Sequence, residues 1–366
     1  MKICILVCVI AVLCSYWGKG FLKYGLEWAF GIITVFLSIR YYWGSDYPSY
    51  LNMYQGFMNS GISSLDFSGM ADLRERGEIG WTLINLLCRP IGFFGMVAIL
   101  TVFENWVIYS FIKKNVDKKD YWLSIFIYLF CADYFLVGAS MMRQWLAMCI
   151  FILAIPSISQ GKPLRYFLLV LLMASIHLTS LVLLPLYFLH YLQKLKIDST
   201  YFVIGTVFVY LVWFVIGRSA FSETFSLLLA YDEFSEFDVY LSDTNTGISS
   251  GLGVLFKSII AIVLLTKINV LGPNIKTLLL VYVLSIFVLP LTSKVPMIGR
   301  IGMYNTVVSI ALFPNVFKAF KKDGVCVILT AIWVLWLLYT YFGFWSTPNW
   351  MRSFGVYKTI FSVPWM

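Results

Sequence analysis

Apolar residues in this chain come in long blocks, and the polar positions gather between the blocks rather than alternating within them. The blocks fall at 3–17, 24–42, 91–112, 121–138, 144–160, 166–176, 178–192, 201–217, 251–266, 277–293, 301–317 and 325–342. A membrane helix takes about 20 apolar residues, and fewer where anchoring residues flank it. The pattern therefore predicts about twelve transmembrane helices, of which 166–176 and 178–192 are the short ones. Two longer polar-rich stretches interrupt the series, at 43–90 and 218–250, and the first holds amphipathic pieces at 50–58 and 79–87 suited to an interface.

Composition carries the same message for the whole chain, 1–366, read as a single polytopic membrane domain of all-α class. With 60% hydrophobic and only 12% charged residues and a mean hydropathy of +0.84, it lacks the charged quarter of a soluble globular protein. The first run, after Lys2, is read as a span and not as a cleaved leader, because no small-residue cleavage signal follows it. The seven cysteines lie in or beside apolar runs without metal-ligand spacing, so they suggest neither a disulfide framework nor a zinc site.

A formal charge of +9 would point to nucleic acid in a soluble protein. Here the lysines sit in short loops, which makes the charge an orientation signal and excludes a nucleic-acid partner. Threading the spans puts fifteen of the 27 basic residues on one side, fourteen lysines and Arg165, so that side is cytoplasmic and both termini lie outside. Eight arginines (40, 74, 76, 89, 143, 218, 300 and 352) then face outside or its boundary. Topology needs only charge, whereas the planar guanidinium fork suits phosphate and carboxylate oxygens, so the partition suggests an anionic ligand outside. The bland alternative is arginine packed on aromatic rings or paired with loop acids.

Polar residues converge on that outer face: Arg40 and Asp46 in Arg40-Tyr41-Tyr42-Trp43-Gly44-Ser45-Asp46-Tyr47, Glu78 in Glu78-Ile79-Gly80, Arg143-Gln144, Ser175-Ile176-His177, and Arg300 with Tyr304 in Gly299-Arg300-Ile301-Gly302-Met303-Tyr304. In order and rough spacing these motifs, with the closing Tyr357-Lys358-Thr359-Ile360-Phe361, resemble the EpsG-like and Wzy-type polysaccharide polymerases over nearly the whole chain. Ser45 stands where that pattern often has threonine.

The resemblance implies a GT-C-like membrane glycosyltransferase in the bacterial inner membrane, with its active site facing the periplasm. Such an enzyme moves a growing glycan from one undecaprenyl diphosphate to a sugar hydroxyl on another lipid-linked repeat unit. Its partners would be the lipid-linked donor and acceptor, membrane lipid and a chain-length regulator protein, and no cofactor or metal is expected. A departing lipid diphosphate needs arginines more than an acid, and the attacking hydroxyl needs a base. Arg40, Arg143 and Arg300, with Gln144 and Tyr304 beside them, are therefore expected on the substrate, and His177, Asp46 and Glu78 at the acceptor hydroxyl. Each residue has a plainer alternative: arginines snorkelling to phospholipid, His177 as a packing histidine between helices, Asp46 paired with Arg40.

Other charges carry less. Glu104 lies mid-span, and Asp133 and Lys257 lie inside theirs toward the outer end, where they would form a structural pair. Glu236-Phe237-Asp238 has the spacing of a metal-dependent glycosyltransferase, but oxygen ligands at this spacing are common by chance, and a solvated acidic loop is the better reading. Rival functions are a lipid-oligosaccharide flippase or transporter, an O-antigen ligase, and an acyltransferase. A transporter predicts basic residues at the midplane between two related halves, and no internal repeat is visible.

Overall fold

The computed structural model describes residues 1–18, 20–59, 78–217, 251–288, 298–320 and 324–362. The Glu236 and Asp238 motif, and Arg74, Arg76 and Arg218, lie outside them. The described chain is all-α apart from one two-residue strand pair. In order it runs α1 (Lys2–Trp17), α2 (Gly25–Ser38), β1 (Arg40–Tyr41), α3 (Tyr47–Asn59), α4 (Ile79–Leu87), α5 (Gly92–Asn115), α6 (Tyr121–Phe130), α7 (Ala132–Ser140), α8 (Met142–Ser159), α9 (Pro163–Ile176), a 3₁₀ helix (Leu178–Phe188), α10 (Leu189–Leu192), α11 (Ser199–Val212), α12 (Leu252–Leu265), α13 (Pro273–Val288), α14 (Ile298–Thr306), α15 (Ser309–Ala319), α16 (Val325–Ser346), α17 (Pro348–Phe354) and β2 (Lys358–Thr359).

Every apolar block of the sequence is met by helix, and both amphipathic pieces of the first polar-rich stretch form helices. Among the described residues, three helices are long and apolar enough to cross a membrane: 89–115, α8 and α16. A fourth span results if α6 and α7, bent by 51° at Cys131, count as one. The remaining apolar helices are shorter, at 10–17 residues. Together with the composition, they make this a membrane protein.

The most deeply buried of the long helices is α8. It packs against α5, α9 and α13 and carries an apolar surface nearly all round, as a helix in the centre of a bundle must. Around the start of β1 the two ends of the chain meet. Arg40 and Tyr41 pair antiparallel with Thr359 and Lys358, and the Ile360 N–H donates to the Ile39 carbonyl at 2.9 Å. The Tyr357 ring stacks on Phe36 at 4.2 Å, and the Trp43 indole donates to the Phe354 carbonyl at 3.0 Å. The two terminal motifs picked out by sequence are thus one structural unit, which fixes where the chain leaves α2 and enters the 43–50 turn.

Gly44 makes that turn possible. Its φ of +119° is a left-handed value that disfavours a side chain, and a Cβ there would meet Ser140 at 3.0 Å. Ser140 uses the space, its Oγ accepting from the Asp46 N–H at 3.0 Å and lying 3.0 Å from Ser45 Oγ. The end of α7, immediately before Arg143, is thereby tied to the start of α3.

Candidate functional site

Three of the sequence-derived residues meet at one point. Glu78 precedes α4, yet its side chain does not cap that helix. It crosses instead to α8 and α9: Oε2 accepts from an Arg143 guanidinium nitrogen, and Oε1 lies 3.4 Å from His177 Nδ1 and 3.4 Å from the Leu178 N–H. All three side chains are largely buried, at 7%, 20% and 14% exposure for Glu78, Arg143 and His177.

The local structure explains why each can reach. Arg143 is the second residue of α8, so it projects from a helix N-terminus, where unpaired backbone N–H groups already favour negative charge. Helix α9 stops at His177, whose φ of −149° and ψ of 102° are extended. That break lets the ring leave the helix axis. It also turns Leu178 into the first residue of the next helix, with a free N–H for Glu78. Gly80 lets α4 lie directly on the end of α9: a Cβ on it would stand 2.3 Å from Ser175 Oγ and 2.9 Å from the Ser175 carbonyl.

Electrostatically Glu78 is the hinge of the cluster. Burial by itself raises its pKa, but His177, Arg143 and the Leu178 N–H together outweigh burial and hold the carboxyl below its ordinary value. It is an anion at neutral pH. An imidazole whose Nδ1 faces a carboxylate keeps its proton on that side, which leaves Nε2 as the acceptor. Both ring nitrogens of His177 are buried without a hydrogen bond to the described protein, Nδ1 facing Glu78 Oε1 at 3.4 Å and Nε2 turned to the other side. The protein's second histidine is different, since His190 Nδ1 lies 2.7 Å from the Ile158 carbonyl, a packing role.

Two aromatic residues complete the cluster. The Arg143 guanidinium lies 5.7 Å from the centroid of the Tyr50 ring, and Tyr50 meets Trp81 edge-on at 5.5 Å. They lie in the two amphipathic pieces of the first polar-rich stretch, Tyr50 in 50–58 and Trp81 in 79–87, neither of them singled out there. The signal for Tyr50 was position: it is one helical turn after Asp46, to whose carbonyl its N–H donates, so the Asp46 and Arg143 regions share this ring.

The other sequence-derived residues stand in a ring around this centre or apart from it. Gln144 donates to the Arg300 carbonyl at 2.7 Å, which ties α14 to the start of α8 next to Arg143. Arg300 is half-buried, with no carboxylate partner among the described residues. Tyr304, one turn further on, is fully buried, with a hydroxyl lacking a hydrogen-bond partner and with Thr179 and Glu78 as its polar neighbours. Asp46 is half-buried and accepts from Ser45 Oγ at 2.9 Å.

Arg40 is not among this group. It is 3% exposed, and its guanidinium donates to the carbonyls of Leu37 (2.5 Å) and Ala139 (3.2 Å) and to Thr101 Oγ1 (2.9 Å). Glu104 on α5 is the acid that acts on it most strongly through space. Asp46 therefore does not pair with Arg40, the alternative considered from sequence. Glu104, noted as a mid-span acid, is buried inside the bundle. Asp133 and Lys257, expected to pair, instead line one cavity.

The comparison with known families settles the chain's kinship. The EpsG family matches residues 27–359, a span that includes every residue of the cluster. The chain belongs to the EpsG family. Membership agrees with the motif resemblance and with the apolar helices, and it points to polysaccharide synthesis at a membrane. No curated protein and no solved structure matches the chain.

Proposed function

We propose that this EpsG-family protein is a membrane glycosyltransferase that polymerises undecaprenyl-diphosphate-linked oligosaccharide repeat units into an O-antigen or capsule-type polysaccharide. The proposal includes a GT-C-like bundle of about twelve spans in the bacterial inner membrane, with the cluster opening to the periplasm. The observation that carries it is the Glu78 carboxylate shared between Arg143 and His177, together with family membership.

The chemistry follows from the two ends of that carboxylate. His177 Nε2 accepts the proton of the acceptor sugar hydroxyl as its oxygen attacks the anomeric carbon of the donor, and Glu78 stabilises the resulting imidazolium. A positioned base of this kind is typically worth about 10² to 10⁴ in rate. As the anomeric C–O bond breaks, its electron pair leaves with the lipid diphosphate. Arg143 at the start of α8 and Arg300 beside it receive that charge, each preorganised donor contributing a few kcal/mol of barrier lowering. Asp46, Gln144 and Tyr304 border the same space as polar contacts for the sugars. Arg40 holds the 37–47 turn that carries Asp46. Other partners in this reading are membrane lipid and a chain-length regulator protein.

Deleting the protein in its host and examining surface glycan on a gel tests the reading. Lipid-linked single repeat units in place of a ladder support a polymerase. Repeat units trapped on the cytoplasmic side with no surface glycan would make it a flippase, and free polymer never joined to its final lipid would make it a ligase.

A further inference from the structure

A second cavity lies away from the Glu78 cluster, at the place where α6 and α7 break. Its volume is about 300 Å³, within the usual range of small-molecule sites. Its walls include Trp333, Trp336, Trp350, Tyr134, Asp133 and Lys257. Cys131, the extended residue at the break, lines it too. In a membrane protein, broken helices are tolerated where they border a cavity or are buried in protein.

Three features define what this cavity would hold. The aromatic rings are fixed in advance: Phe256 stacks on Trp336 at 4.3 Å and on Trp333 at 5.9 Å, and Phe344 stacks on Trp350 at 4.9 Å. The polar groups are not used up within the protein. Asp133 is exposed and does not pair with Lys257, and Trp333, only 4% exposed, has an indole N–H without an acceptor. The charges also balance, one carboxylate against one ammonium. An acyl chain would need none of these groups, and a diphosphate would need an excess of cations. A neutral polyhydroxyl ring fits all three, with C–H faces against indoles and hydroxyls to Asp133, Lys257 and the Trp333 N–H.

The cavity is also joined to the cluster. Tyr134 on its wall donates its hydroxyl to the Thr306 carbonyl at 2.6 Å, and Thr306 ends α14, the helix of Arg300 and Tyr304. Asp133 and Tyr134 lie in the first turn of α7, and Arg143 follows three residues after its end.

We propose that this cavity is a glycan subsite that holds a sugar of the polymer or of a repeat unit at a distance from the reacting bond, an assignment that rests on the polymerase reading above. The probe is a set of oligosaccharide fragments released by mild acid from the producing strain's own surface polysaccharide. They are titrated onto the full-length protein in nanodiscs and followed by saturation-transfer NMR. Wild type is expected to bind them, and Asp133→Asn and Trp336→Leu to weaken binding by about tenfold each, with Trp336→Phe restoring most of it.

Fragments that fail to bind wild type, or bind these variants equally well, would overturn the assignment. So would a phospholipid or lipid phosphate retained in native mass spectrometry by wild type and lost in Lys257→Met, which would make the cavity a headgroup site. The two readings fail separately: a normal ladder in the deletion strain sinks the polymerase, whereas a ladder that needs Glu78 beside fragment binding indifferent to the cavity sinks only the subsite.

Discussion

Glu78 Oε1 lies 3.4 Å from His177 Nδ1 while the other oxygen of the same carboxylate holds Arg143, so one acid faces the histidine and positions the arginine. Replacing it with an isostere separates these effects. Glu78→Gln keeps the volume and removes the charge. Polymer formation is expected to fall by about 10²-fold or more, measured as glycan ladder intensity at matched protein level.

The acid limb of stability should change in the same variant. The Glu78 carboxyl is held below its ordinary 4.5 in the folded protein, so its contribution is fully present above the unfolded value. It is lost as pH falls through the folded one. Thermal melting of the purified protein should therefore drop more steeply below about pH 4.5 in wild type than in Glu78→Gln. Parallel curves would show that the pairing does not contribute to folding.

Removing Arg143 alone leaves Glu78 buried with only the His177 ring and the Leu178 N–H beside it, each at 3.4 Å. Arg143→Ala is expected to destabilise the protein by up to about 3 kcal/mol and to abolish polymerisation. Adding Glu78→Gln to it should restore much of the stability and none of the activity. A double variant as unstable as Arg143→Ala would mean that Arg143 packs rather than pairs. Arg143→Lys keeps the charge but not the fork and should also lose most activity.

Gly80→Ala tests the seating of α4. The new methyl would stand 2.3 Å from Ser175 Oγ and 2.9 Å from its carbonyl, so α4 must lift away and carry Glu78 with it. Activity should fall sharply, and Ser175→Gly should recover only part of it, because the backbone carbonyl remains in the way.

Arg40 behaves as a folding residue in this account. Its donors serve Leu37, Ala139 and Thr101 inside the bundle. Arg40→Ala, and Arg40→Lys as well, should lower the yield of folded protein and its melting temperature by more than about 2 kcal/mol's worth. A well-folded but inactive Arg40→Lys would return it to the substrate site.

Much of this was legible in the sequence because long apolar blocks and their polar boundaries follow from the demands of a bilayer. The blocks, the 79–87 helix and the positions of Arg143 at a helix start and His177 at a break were readable one by one. What sequence could not give was pairing. Arg40 and Asp46 are neighbours in the chain and Arg40 and Arg143 look alike on paper, yet the bundle turns Arg40 inward to carbonyls and leaves Arg143 to Glu78, 65 residues away. The break at Cys131 was hidden for a similar reason: α6 and α7 form one unbroken apolar run, and only packing reveals where the helix turns aside. The gathering of three tryptophans at that break depends on α16 and α17, which lie far along the chain.

The most direct test is the surface-glycan pattern of a deletion strain complemented with His177→Ala or Glu78→Gln, with each protein confirmed in the membrane at wild-type level. The account predicts lipid-linked single repeat units and no ladder from either variant. A wild-type ladder from both would contradict it.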